Sequence, residues 1–88
     1  MSRRVGWPPW WYWELIVSSH AQFRINERGI TEIDFRRMLE RAGGWTPSVV
    51  PGRFTIRTTH RKQPWLVIVE PDLEEHALVV VTAFEYLP

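Results

Sequence analysis

Histidine and arginine recur between residues 19 and 34, SHAQFRINERGITEID, at a spacing that suits phosphate chemistry. On an α-helix, positions 20, 24 and 28 fall within about 80° of one another. His20, Arg24 and Arg28 then share one polar face, while Ala21 and Ile25 point toward a core. RNA cleavage without a metal needs such parts: a base for the ribose 2′-hydroxyl, an acid for the leaving oxygen, and cations for the charge on phosphorus. Imidazole near neutral pH can serve as either acid or base. Arg53 and Arg57 alternate with Phe54 and Ile56 in RFTIRTT, which puts them with Thr55 and Thr59 on the polar side of a strand. If that strand borders the helix, His20 and the four arginines converge on one anionic ligand. A purely structural place for His20 in the first helical turn has equal standing.

Other candidates are weaker. His60 falls in a hairpin turn beside Arg61 and Lys62, where it can reach a phosphate, although exposed turn histidines are more often only solvated. His76 lies in an acidic turn and reads as a surface residue. Thr82 interrupts the apolar run VVVTAF, either to satisfy a strand partner or to show its hydroxyl to the cleft, and Tyr86 follows as a proton donor or stacking ring. No two histidines, and no histidine with an acid on the same element, have metal-ligand spacing, and the sequence implies no cofactor.

Six tryptophans in 88 residues are a heavy aromatic load, and four of them fall in WPPWWYW, residues 7–13. Beside basic residues, tryptophans can stack unpaired bases, worth about 1–3 kcal/mol per base. They can also cover a sheet face or hold a partner's helix, and covering the sheet ranks first. Trp7, Trp10 and Trp11 are the candidate contacts for a partner or a base, with Trp7 and Trp10 expected to be exposed.

These residues belong to a chain of single-domain size. It has no cysteine, which excludes disulfides and thiolate metal sites and is compatible with the cytoplasm. Residues 1–62 hold all eleven basic side chains and five acids, a local charge of +6, whereas residues 63–88 hold five acids and no base, −5. Ten of the eleven cations are arginine, the side chain better suited to forked recognition of phosphate. Scattered solvated arginines in ordinary ion pairs with Glu27, Glu32, Asp34 and Glu40 are the plainer reading. No run reaches the roughly 18 apolar residues of a membrane span. The opening segment has arginines like a signal peptide, but prolines interrupt it, so it is expected to belong to the mature domain.

The elements that position the candidates follow from pattern. Residues 1–13 form an aromatic lead-in, 14–44 a helical part and 53–86 an antiparallel meander. A short extended run at 13–17 precedes a helix that Ser19 and Gln22 open and Gly29 ends. Thr31 and Asp34 open a second helix over 32–42, with Phe35, Met38, Leu39 and Ala42 as its buried stripe. GGWTPSVVPG, residues 43–52, reads as a loop. Strands are expected at 53–59, 65–70 and 77–84, the last two apolar on both faces. The expected fold is α+β, two N-terminal helices packed on a curled three- to four-stranded antiparallel sheet.

SHAQFRINERGITEIDFRRML, then GRFTIRTTHRKQPWLVIVEPD and VVVTAF, resembles the small bacterial proteins grouped as domain of unknown function 4258, especially a subset with a lead-in like PPWWYWEL. That family is similar to the RelE/ParE-like and BrnT-like toxins of toxin–antitoxin pairs. The resemblance implies a RelE-like two-layer fold, a cytoplasmic metal-independent endoribonuclease, RNA as substrate and an antitoxin protein as partner. It points to His20, Arg28, Arg53 and Thr82 as catalytic. Arg24 and Arg57, from the facing argument, join Arg61 and Lys62 as phosphate contacts. Two rivals stand beside it: a non-catalytic protein-interaction module using the tryptophan-rich N-terminus and the arginine face, and a homodimer with structural arginines.

Overall fold

Ser18, not Ser19, opens the first helix. Its hydroxyl accepts the Ala21 N–H at 3.1 Å and donates to the Val81 carbonyl at 3.1 Å, which fastens the helix start to a strand 63 residues away. Residues 6–86 are described by this computed structural model. Among them are β1 (Glu14–Val17), α1 (Ser19–Glu27), α2 (Glu32–Glu40), β2 (Gly44–Pro47), β3 (Phe54–His60), β4 (Gln63–Asp72) and β5 (Ala77–Glu85).

Local chemistry sets the helix ends. Gly29, at φ 71°, takes the left-handed position after α1. Its N–H donates to the Asn26 carbonyl and that of Ile30 to the Ile25 carbonyl, the paired bonds of a Schellman stop. Ile25 and Ile30 are both buried beneath that turn. Thr31 and Asp34 then exchange reciprocal capping bonds at the start of α2. The buried stripe Phe35, Met38 and Leu39 turns inward as its spacing requires.

The class is α+β, but the expected layout is corrected. The sheet has five strands in the order β1-β5-β4-β3-β2, and it is mixed. β1 precedes both helices and runs parallel to β5, with Glu14 opposite Ala77 and Val17 opposite Val80. The remaining neighbours are antiparallel. Part of the expected loop forms β2, Gly44 pairing with Arg57 and Pro47 with Phe54. Pro47 is tolerated there because β2 is an edge strand. Between β4 and β5 the register shifts, Ile68 facing Thr82 and Val69 facing Val80. Val81 is the extra residue, and its carbonyl is the one that Ser18 uses.

Both helices pack on one face of the sheet. Ile56, Trp65, Val67, Val69, Leu78, Val80 and Ala83 meet Ala21, Ile25, Ile30, Phe35, Met38 and Leu39 in a single core. The tryptophan lead-in extends that same layer. Trp10 packs edge-on to Trp45 at 5.6 Å and tilted on Phe54 at 4.8 Å, Trp7 stacks on Trp11 at 4.1 Å, and the Trp45 indole N–H donates to the Gly6 carbonyl at 3.0 Å. Trp7 and Trp10 are therefore half-buried, contrary to the expectation that they project into solvent. No helix among the described residues is long and apolar enough to cross a membrane.

Candidate nucleic-acid interface

The structure does not gather His20, Arg24, Arg28, Arg53 and Arg57 into one cleft. His20 is exposed in the first turn of α1, about 12 Å along the helix from Arg28 at 1.5 Å per residue. Arg24 is half-exposed in the last turn. Arg28 pairs with Glu85 at 2.8 Å at the end of β5, and Arg53 pairs with Glu70 at 2.9 Å near the end of β4 that leads toward the β4–β5 turn. Ala21 and Ile25 of α1 are buried, as expected, but Arg53 and Arg57 alternate with inward-facing Phe54 and Ile56, which puts them on the sheet face opposite the helices. Thr82 sits opposite Ile68 on the face away from the helices.

A different group does come together. Arg28, His60, Arg61, Gln63 and Glu85 line a concavity of about 220 Å³ floored by Ile30 and Trp65, between the end of α1 and the β3–β4 turn. Lys62 is the next residue of that turn. The Arg41 guanidinium donates to the Thr59 carbonyl at 2.8 Å, adding a further cation to the same end of the molecule. Thr31 holds the Asp34 carboxyl below its usual range, through its hydroxyl first and its backbone N–H second, and the positive charges of His60 and Arg37 lower it further. Asp34 is thus held as an anion at the start of α2.

The turn that presents these groups is strained. Arg61 and Lys62, the two residues between β3 and β4, have φ of 51° and 67°. A two-residue hairpin turn with both central residues at positive φ favours asparagine, aspartate or glycine. Side chains without that tolerance cost roughly 1–3 kcal/mol each in such a conformation, and strain of this sort gathers at functional sites.

Around the corner, on the face without helices, Thr46, Thr55, Arg57, Leu66 and Tyr86 border a second concavity of about 480 Å³. The Arg57 guanidinium lies over Gly44, and Tyr86 is exposed, its backbone N–H donating to the Pro64 carbonyl at 2.9 Å. The sequence offered Tyr86 and His60 as minor candidates and did not single out Gln63 or Glu85. The legible signal for this site was a two-residue hairpin with RK where turn chemistry calls for NG.

Among the described residues, no three His, Cys, Asp or Glu side chains are grouped as metal ligands. No protein-family model matches the chain, and it has no match among curated proteins or solved structures.

Proposed function

We propose that the chain is a toxin-like cytoplasmic RNA-binding protein that cuts RNA without a metal, and that its RNA contact is the basic hairpin end rather than the exposed face of α1. The observation that carries this reading is the shared concavity of Arg28, His60 and Arg61. Arg61 and Lys62 supply phosphate contacts, and the Arg57–Tyr86 groove beside them offers a cation and a ring to the next nucleotide of a single strand. His60 serves the proton transfers, with the Glu85 carboxylate, oriented by Arg28, as the second group. The ribose 2′-oxygen forms a bond to phosphorus as its proton leaves to the base. The 5′-oxygen departs with a proton, leaving a 2′,3′-cyclic phosphate and a 5′-hydroxyl.

End-labelled single-stranded RNA incubated with the protein in chelator tests the reading. Cutting to cyclic-phosphate ends is expected from the wild type and from His20→Ala, with loss in His60→Ala. Undiminished cutting by folded His60→Ala moves the chemistry elsewhere. A wild type that binds RNA in a salt-dependent way without cutting retains only the binding half. A second reading, a non-catalytic protein-interaction module, draws on the sheet face that no helix covers, and absence of both binding and cutting would favour it.

A further inference from the structure

The sequence of the central strands is written for burial on two sides, and the structure buries them on one. Trp65, Val67 and Val69 of β4 face the helices, yet the residues between them, Leu66 and Ile68, are apolar as well. β5 repeats this, with Leu78, Val80 and Ala83 inward and Val79, Thr82 and Phe84 outward, so the outer face is apolar over β5 and β4 and turns polar at Thr55 and Arg57 of β3. An antiparallel sheet with one wet face normally alternates apolar with polar residues, and continuous apolar runs mark strands covered on both faces. Ile16 of β1 extends the outer patch and is 43% exposed. Among the described residues, Leu66, Ile68, Val79 and Phe84 are half-buried and stand outside the set that packs against the core.

We infer that a second copy of this chain supplies the missing layer, its bare sheet face packed on this one with the strands of the two copies running in opposite directions. Charge selects that occupant. The two ends of β4 carry opposite signs: Arg61 and Lys62 in the β3–β4 turn, against Asp72, Glu74 and Glu75 toward the β4–β5 turn, where Glu70 is already paired with Arg53. A two-fold axis lying in the interface and perpendicular to the strands sets each basic end against the other copy's acidic end. The same surface is then self-complementary in both charge and apolarity, as a two-fold dimer requires. The face is about 24 Å across five strands and about 17 Å along them, on the order of 400 Å² per copy from strand spacing and rise. Both copies together bury about 800 Å², below the roughly 1,200 Å² at which standard specific interfaces begin, so the dimer is weak and transient, forming in the micromolar range or above. The inference rests on a face away from the Arg28, His60 and Arg61 concavity, but the Arg57–Tyr86 groove lies on it beside Leu66, so RNA in that groove and a second copy on the face exclude one another.

Sedimentation of the full chain over about 1–200 µM, a range spanning weak association, tests it. The expected mass rises from 10.5 kDa toward twice that value. Ile68→Glu and, separately, Val79→Glu should hold the chain at monomer mass while circular dichroism stays unchanged. Two variants guard against one of them failing to fold. Glu74→Lys with Glu75→Lys should weaken dimerisation at low salt by about tenfold, and adding Arg61→Glu with Lys62→Glu should restore it. A wild type that stays monomeric throughout overturns the inference, leaving the face to a different chain. So does a dimer that persists in both outer-face variants. A dimer that the outer-face variants abolish but the charge exchanges leave untouched overturns the opposed arrangement.

Discussion

Arg57 lies with its guanidinium across Gly44, its cross-strand partner on β2, in the space where any other residue would place a side chain. A Cβ at Gly44 would come within 3.0 Å of Arg57 Cζ and closer still to a guanidinium nitrogen. The obstructing group is the free end of a flexible side chain, so the fold can yield without disturbing the sheet. Gly44→Ala is expected to change stability by less than about 1 kcal/mol, yet to shift the Arg57 Nε–H resonance in NMR and to weaken RNA binding. An unmoved resonance would mean that Arg57 does not rest there in solution.

Trp10 bears on how the lead-in is used. Were it a solvent-facing anchor, its loss would leave stability alone and weaken a complex. Packed on Trp45 and Phe54, it closes one end of the core. Trp10→Ala should therefore lower unfolding free energy by about 2–3 kcal/mol, less than for a fully buried tryptophan. Chemical denaturation of the two proteins measures this, and equal midpoints would return Trp10 to the surface.

What could be read in advance was whatever local chemistry decides. The ERGIT segment announces the end of one helix and the start of the next, because Gly29 and the Thr31–Asp34 pair act within a few residues. The alternation of β3 likewise separates Arg57 from Ile56 correctly. Pairings set by distant parts of the chain were not legible. Gly44–Pro47 has the composition of a loop and becomes a strand only because β3 offers it hydrogen bonds. The parallel match of β1 to β5 joins segments some 63 residues apart. The arginine cleft failed for the same reason, since periodicity tells which residues share a face and not which face the helices cover. At the hairpin end, the convergence of Arg28 with His60 depends on where α1 stops relative to β3 and β4.

Asp34 ties stability to pH through its capping bonds. Its carboxyl is held below the usual value of 3.8, so the stabilisation is present above that value and is lost as pH falls through the lower folded value. Thr31→Ala removes both the N-cap hydroxyl and the largest cause of the shift. It should cost about 1 kcal/mol near neutral pH and return the Asp34 carboxyl toward its ordinary range. Carbon-detected NMR titration of Asp34 reads the second effect directly, and an unchanged titration curve would show that the hydroxyl is not the main cause.

The β3–β4 turn offers the sharpest separation of stability from function. Arg61 and Lys62 hold a left-handed backbone that asparagine and glycine adopt with little strain, so Arg61→Asn with Lys62→Gly should raise stability by about 1–2 kcal/mol. The same change removes two cations from the rim of the Arg28–His60 concavity. If those cations contact phosphate, RNA affinity should fall and the slope of log affinity against log salt should flatten by about 1.4, near 0.7 per lost contact on a single strand. Thermal unfolding and an RNA titration at several salt concentrations measure the pair of effects on one protein. A more stable variant with undiminished RNA affinity would mean that the strain has no role in RNA contact, whereas opposite movements of stability and affinity would tie the strained turn to the ligand it presents.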